Sequence, residues 1–256
     1  SWFYRTGYDL VPKFGRDYTS HQIEFRNEPF TARSYNKKAK IITAISMFYD
    51  LDDPIILIKD MEKSLDKDGI IVIQQNYLLD MLTNNAFDNI CHEHLTYSSI
   101  QSMDRMLQDT NLTVFDVKLT NLNGGSFRTY ICHKGSYKVS SRIKRQRDIE
   151  IDYELDNVQA YYDFTDRVKK IAENLYDLLA NIAINEESCY LYGASTRGNT
   201  LLQYCGIDNR LIQKAVERNP EKFGKKIASV GIPIISEEQM REEKPDFLLI
   251  LPWFFA

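Results

Sequence analysis

Residues 38–54 read KAKIITAISMFYDLDDP, and residues 69–74 read GIIVIQ. Within the first, 39–49 (AKIITAISMFY) is an apolar, β-branched run with the length of a buried strand. Asp50–Pro54 then supplies carboxylates and a proline, the chemistry of a helix start. Ile55, Ile58, Met61, Glu62 and Leu65 follow at helical spacing, Asp68–Gly69 makes a turn, and Gly69–Gln74 is a second buried strand. Strand, helix and strand with short joints predict a right-handed parallel α/β crossover.

The pattern continues outward. Ile100 to Asp109 reads as an amphipathic helix with Ile100, Met103, Met106 and Leu107 on one face. Leu112–Leu119 and Ser126–His133 read as strands around the turn Asn123–Gly124–Gly125, an antiparallel edge to the sheet. Together these form the later half of a doubly wound α/β domain whose first strand and glycine-rich loop are mostly missing. Residues 138–147 (KVSSRIKRQR) carry five basic side chains, read as a solvated connector in preference to a phosphate patch. From Val158 to Ile182 apolar residues recur at three- and four-residue steps, a long strut helix whose tyrosines are expected to pack into the core. Beyond it, Cys189–Gly193 is a strand, Ala194–Gly198 a small-residue turn and Asn199–Tyr204 a helix start. Leu211–Val216 and Phe247–Leu251 follow as strands. The expected division is 1–135, a connecting segment 136–187, and a second α/β domain over 188–256.

Composition narrows the function classes. With 256 residues, 43% hydrophobic and 27% charged, the chain is globular, not disordered or collagen-like. A net charge of −4 offers no basic field for nucleic acid. No apolar run approaches the ~18 residues of a membrane helix. Cys91, Cys132, Cys189 and Cys205 are widely spaced with no C-x-x-C pair, the pattern of reduced thiols in the cytoplasm. The chain opens at Ser1 and stops inside the apolar run from Phe247, so a piece of a longer protein is expected. The sequence sets no oligomeric state.

The densest chemistry lies in Cys91–His92–Glu93–His94. In an extended segment His92 and His94 face one way and Glu93 the other. The pair H-x-H can supply two metal ligands, but no third is suggested except Cys91, and no metal is expected. A general-base reading fits better, because an imidazole takes and returns a proton near working pH, with Glu93 to orient it. Histidines hydrogen-bonded at a domain joint are the bland alternative.

A second constellation, Gly193–Ala194–Ser195–Thr196–Arg197–Gly198, sits between a strand and a helix. It has dinucleotide-loop spacing with serine at the middle glycine, and Glu217 follows 22 residues after Ser195. Such a loop attracts phosphate through helix N–H groups, and Ser195, Thr196 and Arg197 add side-chain donors. A third and weaker feature is Gly7–Tyr8–Asp9, a carboxylate closing an early strand, of the type that takes ribose hydroxyls.

The stretches 38–54, AFDNICHEHLTY (86–97), NGGSFRTY (123–130), YGASTRGNTLLQYCGI (192–207) and PDFLLILPWFF (245–255) resemble the S-adenosylmethionine-dependent sugar C-methyltransferases. These act at C-3 of nucleotide-linked 4-keto-deoxysugars. The blocks occur in family order across nearly the whole chain. The resemblance implies a class I methyltransferase (Rossmann-like) domain, partly truncated, followed by a second Rossmann-like α/β domain that helps hold the nucleotide sugar. It implies a structural zinc only in an N-terminal module absent from this chain, and a C-terminal segment beyond its end.

Mechanistically, the resemblance implies that a base removes the C-3 proton and that the enolate takes the methyl group of S-adenosylmethionine. The family's base falls on His94 and its glutamate on Glu93, with His92 beside them. Some members carry a tyrosine before H-E-H to stabilise the enolate; here that position is Cys91. For the cofactor the resemblance implies Asp9, Met47, Phe48 and Gln75. For the nucleotide sugar it implies Asn76, Tyr77, Arg128, Ser195, Thr196, Arg197, Asn199, Glu217 and Arg218. Two other readings compete: a non-methylating relative that keeps a nucleotide-sugar-binding module, and an NAD-dependent dehydrogenase resting on Gly193–Gly198 and Glu217 alone.

Overall fold

The computed structural model describes residues 4–10 and 23–251. The last residues of the 245–255 block lie outside the described residues. By its contacts the chain falls into two units interleaved in sequence. One takes Ser1–Gln75, Ile100–Lys118 and Phe127–Asp148, and the other Asn76–Ser99, Leu119–Ser126 and Ile149–Ala256. Residues 76–99 thus keep company with the C-terminal half, whereas the expected division was contiguous and put them in the 1–135 block.

In the first unit, β1 (Arg5–Tyr8) and β2 (Ile23–Arg26) pair in parallel as a two-stranded sheet. β3 (Ala39–Ile45), α1 (Pro54–Ser64) and β4 (Leu65–Asn76) form the crossover read from the sequence, with β3 and β4 parallel. Asp53 caps α1, its carboxylate accepting from the N–H groups of Ile55 and Ile56 at 3.0 and 3.2 Å.

Two boundaries differ from expectation. The strand predicted over 39–49 stops at Ile45, because Ser46 turns into the left-handed region (φ 53°) and donates to the Gln74 carbonyl at 2.8 Å. Phe48–Asp50 is then a 3₁₀ turn. Where a turn was read at Asp68–Gly69, β4 spans the position but its register against β3 shifts there, from Ala39 opposite Leu65 to Ile41 opposite Ile70. A Cβ on Gly69 would sit 2.8 Å from the Ala39 carbonyl oxygen, so glycine here permits close approach of two strands.

After α2 (Leu78–Thr83), a second-unit helix, the chain returns through α3 (Ile100–Leu107), β5 (Leu112–Thr120) and β6 (Ser126–His133). The sheet order is β3-β4-β6-β5, which leaves β5 at the edge. Ile58, Met61, Leu65, Ile71, Ile73, Ile100, Met103 and Phe127 are almost wholly buried and supply this unit's core. The basic stretch 138–147 is no loose connector. It enters α4 (Ser141–Asp152), where Ile143 is fully buried. Arg147 there grips Asp104 with two bonds of 2.7 and 2.8 Å.

The second unit contains α5 (Val158–Ile184), capped by Asn157 and burying Phe164, Val168, Leu179 and Ile182. Two of its tyrosines escape the expected core: Tyr162 and Tyr176 are exposed. There follow β7 (Cys189–Tyr192), α6 (Thr196–Tyr204), β8 (Lys214–Glu217), β9 (Lys226–Ile227), β10 (Ile232–Ser236), α7 (Glu237–Glu243) and β11 (Phe247–Ile250). The sheet order is β11-β7-β8-β10-β9. All neighbours are parallel except β9, which runs antiparallel to β10. The sequence pattern did not disclose β9, β10 or α7; Pro233 inside β10 argues against a strand until one sees it pair only with a two-residue edge. Among the described residues no helix is long and apolar enough to cross a membrane.

Candidate active site

The segment from Tyr77 to Ser98 leaves the end of β4 and returns to it. Tyr77 and Ser98 form an isolated parallel bridge, and the Leu78 N–H donates to the Ser98 carbonyl at 2.9 Å. The excursion is held within the second unit. α2 packs against α5, and Arg167 of α5 donates to the Asn85 side chain and the Leu82 carbonyl, both at 2.8 Å. α6 packs against the 3₁₀ turn Phe87–Asn89, with the rings of Phe87 and Tyr204 5.4 Å apart.

On this excursion Cys91–His94 forms a turn, so the facing an extended segment would give does not apply; it is closed by the His94 N–H on the Cys91 carbonyl at 3.1 Å. The turn separates the two histidines. His92 is 81% exposed, with Glu93 4.0 Å from its Nε2. His94 folds back, and its Nδ1 lies 2.8 Å from the main-chain carbonyl of Asn89. A carbonyl only accepts, so Nδ1 donates, and in the neutral ring the lone pair is then on Nε2. His94 is therefore half-buried and tied to the main chain, and His92 is solvated.

Asn89 is nearly fully buried and doubly tied. Its side chain accepts from Asn76 Nδ2 at 2.9 Å and donates to the Ala86 carbonyl at 3.1 Å. Beside it, Asp88 accepts from Arg197 at 2.5 Å, with the two side chains 9% and 16% exposed. The Asn76 Oδ1 is buried with no hydrogen-bond partner, an acceptor that a ligand hydroxyl or amine would satisfy. Tyr77, expected at the sugar, has another place: it is fully buried, and its phenol donates to the fully buried Glu150 at 2.7 Å. Tyr97 supplies a half-buried phenol on the same excursion as Cys91, its pKa pushed up by burial first and then by the neighbouring Cys91.

The loop 193–198 builds as a tight strand-to-helix turn. Gly193 is left-handed (φ 93°), and Ser195 caps α6 by accepting from the Gly198 N–H at 3.1 Å. A Cβ on Gly198 would lie 2.7 Å from the Leu251 Cδ1, so a larger residue there would push that side-chain end aside. Glu217 lies at the end of β8, as expected, but its carboxylate turns inward. It accepts from the Ala194 N–H at 3.3 Å and from Lys222 at 2.9 Å. Burial opposes its ionisation, and Lys222 with the backbone N–H groups of Arg218 and Asn219 holds the pKa below the usual range regardless. That carboxylate braces the loop. Asn199 accepts from the Ser229 hydroxyl, and Arg218 is exposed beside Glu237 at 3.2 Å. Thr196 opens α6 and is half-buried.

In the first unit, the residues expected at the cofactor differ in exposure. Phe48 is fully buried and belongs to the core, while Met47 is 38% exposed. Asp9 follows β1 and is half-buried. Gln75 is buried, with Nε2 3.3 Å from Met103 Sδ and an Oε1 that has no hydrogen-bond partner. Arg128 spends its Nε on Gln74 Oε1 at 2.9 Å. Gln75 thus carries a buried acceptor, Met47 a partly exposed thioether chain, and Asp9 a carboxylate just after β1. Among the described residues no group of three or more His, Cys, Asp or Glu side chains is arranged to hold a metal ion.

Parallel α/β sheets with polar groups gathered at strand ends define a class of ligand-binding protein, and comparison with known proteins gives the family. The family described as the C-methyltransferase C-terminal domain matches residues 121–256, more than half of the chain, and the chain belongs to it. A methyltransferase-domain family matches residues 1–117. The C-methyltransferase NovU of Streptomyces niveus is 28% identical over 219 residues, covering 85% of this chain and 52% of that protein. The chain thus spans about half the length of this curated relative. Among solved structures, N-methyltransferase NodS from Bradyrhizobium japonicum WM9 aligns at a TM-score of 0.38 and 15% identity, over 50% of this chain and 66% of that one. Magnesium protoporphyrin IX methyltransferase from Synechocystis PCC 6803 aligns at 0.40 and 9%, over 50% and 64%. Likenesses this weak carry no weight for the assignment.

Proposed function

We propose that the protein is an S-adenosylmethionine-dependent C-methyltransferase whose acceptor is a nucleotide-linked 4-keto-deoxysugar, methylated at C-3. Membership of the C-methyltransferase family, and NovU as a relative, support the reaction class. The observation that carries the site is the His94 Nδ1 contact with the Asn89 carbonyl, which orients the imidazole on the excursion after β4.

On this reading His94 Nε2 takes the acidic C-3 proton next to the C-4 ketone, and the bonding pair moves into the ring as an enolate. When bound, S-adenosylmethionine supplies the electrophilic methyl group to which C-3 becomes joined. On this reading Asp9, Met47 and Gln75 would hold that cofactor, with Phe48 in the core of the same unit. Asn76 offers its unsatisfied Oδ1 to the sugar, and Ser195 and Thr196 at the start of α6 face the nucleotide portion. The second sheet acts as a Rossmann-like nucleotide-sugar platform. We place the enzyme in the cytoplasm, in keeping with free thiols at Cys91, Cys132, Cys189 and Cys205.

The test is transfer of a labelled methyl group from S-adenosylmethionine by the full-length protein to 4-keto-deoxysugar nucleotides. Label in the sugar ring at C-3 is expected. Label appearing on oxygen or nitrogen, or tight binding of NAD in place of S-adenosylmethionine, overturns the reading.

A further inference from the structure

We propose that Arg197 is a positioning residue for His94, acting through Asp88, and not a ligand of the nucleotide phosphates. The proposal rests on the base assignment above and reassigns a residue that the resemblance gave to the substrate.

Its basis is a short chain of contacts within the second unit. Arg197 lies in the first turn of α6, and its guanidinium meets the Asp88 carboxylate at 2.5 Å. Both side chains are largely withdrawn from water, at 16% and 9% exposure, where a charge pair is screened little. Removing either partner leaves the other charge buried, so the pair resists being opened. Asp88 is the middle residue of the 3₁₀ turn Phe87–Asn89, and the next residue, Asn89, carries the carbonyl that receives His94 Nδ1. The tautomer and direction of the imidazole therefore depend on the pose of that turn. Asn76 holds the turn through the Asn89 amide, and Arg197 holds it through the Asp88 carboxylate.

The Asp88 carboxylate engages a terminal nitrogen of the Arg197 guanidinium and so holds it against the 3₁₀ turn. The same geometry gives the loop 193–198 a second duty: it fixes the base as well as starting α6.

Two readouts on the full-length protein test this, using Asp88→Asn and Arg197→Ala. The first needs no substrate: ¹⁵N-histidine NMR of the His94 ring. Both variants are expected to lose the Nδ1–H tautomer that the parent shows, while thermal melting still reports a cooperative fold. The second is steady-state methyl transfer, in which both variants are expected to lower kcat by about 10²-fold, as for a base displaced by about 1 Å, with KM for the sugar nucleotide within about twofold of the parent. Combining the two substitutions should cost no more than either alone. A KM raised about tenfold or more by Arg197→Ala and unmoved by Asp88→Asn overturns the proposal and returns Arg197 to the phosphates. So does an unchanged His94 tautomer in both variants. If Arg197→Ala does not fold, Arg197→Lys keeps the charge but not the planar fork and is expected to give the same pattern in weaker form. If no sugar nucleotide is turned over by the parent, the functional reading fails, and the NMR result alone decides the positioning role.

Discussion

The phenol of Tyr77 donates to the carboxylate of Glu150 at 2.7 Å, and both side chains are fully buried. A residue at the end of β4 in an α/β fold is ordinarily a ligand contact, yet this one reaches into α4. Tyr77→Phe should therefore cost about 1–3 kcal/mol of stability by taking a donor from a buried carboxylate. Urea denaturation checks the stability term. KM for the sugar nucleotide should stay at the parental value; a rise with unchanged stability would return Tyr77 to the substrate.

Gly125 adopts φ 129°, and a Cβ there would lie 2.3 Å from the Cβ of Asp80. Its own carbonyl accepts from the Tyr77 N–H at 3.2 Å, so the turn after β5 braces the start of the excursion that carries His94. Gly125→Ala combines a strained backbone with a clash against a helix, and the expected loss is about 2–4 kcal/mol. Gly135→Ala has a positive φ as well but nothing near its Cβ, and should cost less. Paired thermal melts of the two variants decide this.

Burial pushes the Asp80 carboxyl up to about 6. The folded protein holds this proton more tightly than the unfolded chain. The stability so gained is complete below about pH 4 and is lost as pH rises through about 6. Asp80→Asn should remove this slope and stabilise the protein at pH 7 by about 1 kcal/mol once partial exposure to solvent is allowed for. Denaturation midpoints at pH 4, 5, 6 and 7 check it. Parallel curves for parent and variant contradict it.

Glu217 has the opposite sign. Its pKa is held below the usual range, so its contribution is present at neutral pH and lost as pH falls through the folded value. Glu217→Gln weakens the tie to Lys222 and Ala194, and should cost about 1 kcal/mol at pH 7 and much less in acid. Nicotinamide-nucleotide binding, by contrast, should be absent from parent and variant alike.

These expectations turn on side-chain engagement, which is where sequence reading ran short. The crossover 39–76 was legible because β-branched runs and the Asp53–Pro54 start obey local rules. So was the small-residue turn before α6. His94 stood out by residue type, but its separation from His92 was not visible, because a turn closed by the Cys91 carbonyl leaves no mark in the H-x-H spacing. The roles of Asp88, Asn89 and Glu150 were equally hidden. They arise from partners 109 residues away in the case of Asp88 and Arg197, and 73 in the case of Tyr77 and Glu150. The interleaving of 76–99 with the C-terminal unit has the same origin: α5 and α6 clamp that excursion through contacts that periodicity cannot report.

His94 is proposed as the base that acts at C-3. Incubating the full-length protein with a 4-keto-deoxysugar nucleotide and S-adenosylhomocysteine in D₂O, and following C-3 by NMR, tests that step apart from methyl transfer. The parent should wash deuterium into C-3, and His94→Ala should slow that exchange by at least about 10²-fold, while His92→Ala leaves it near the parental rate. Exchange at the parental rate in His94→Ala contradicts the assignment.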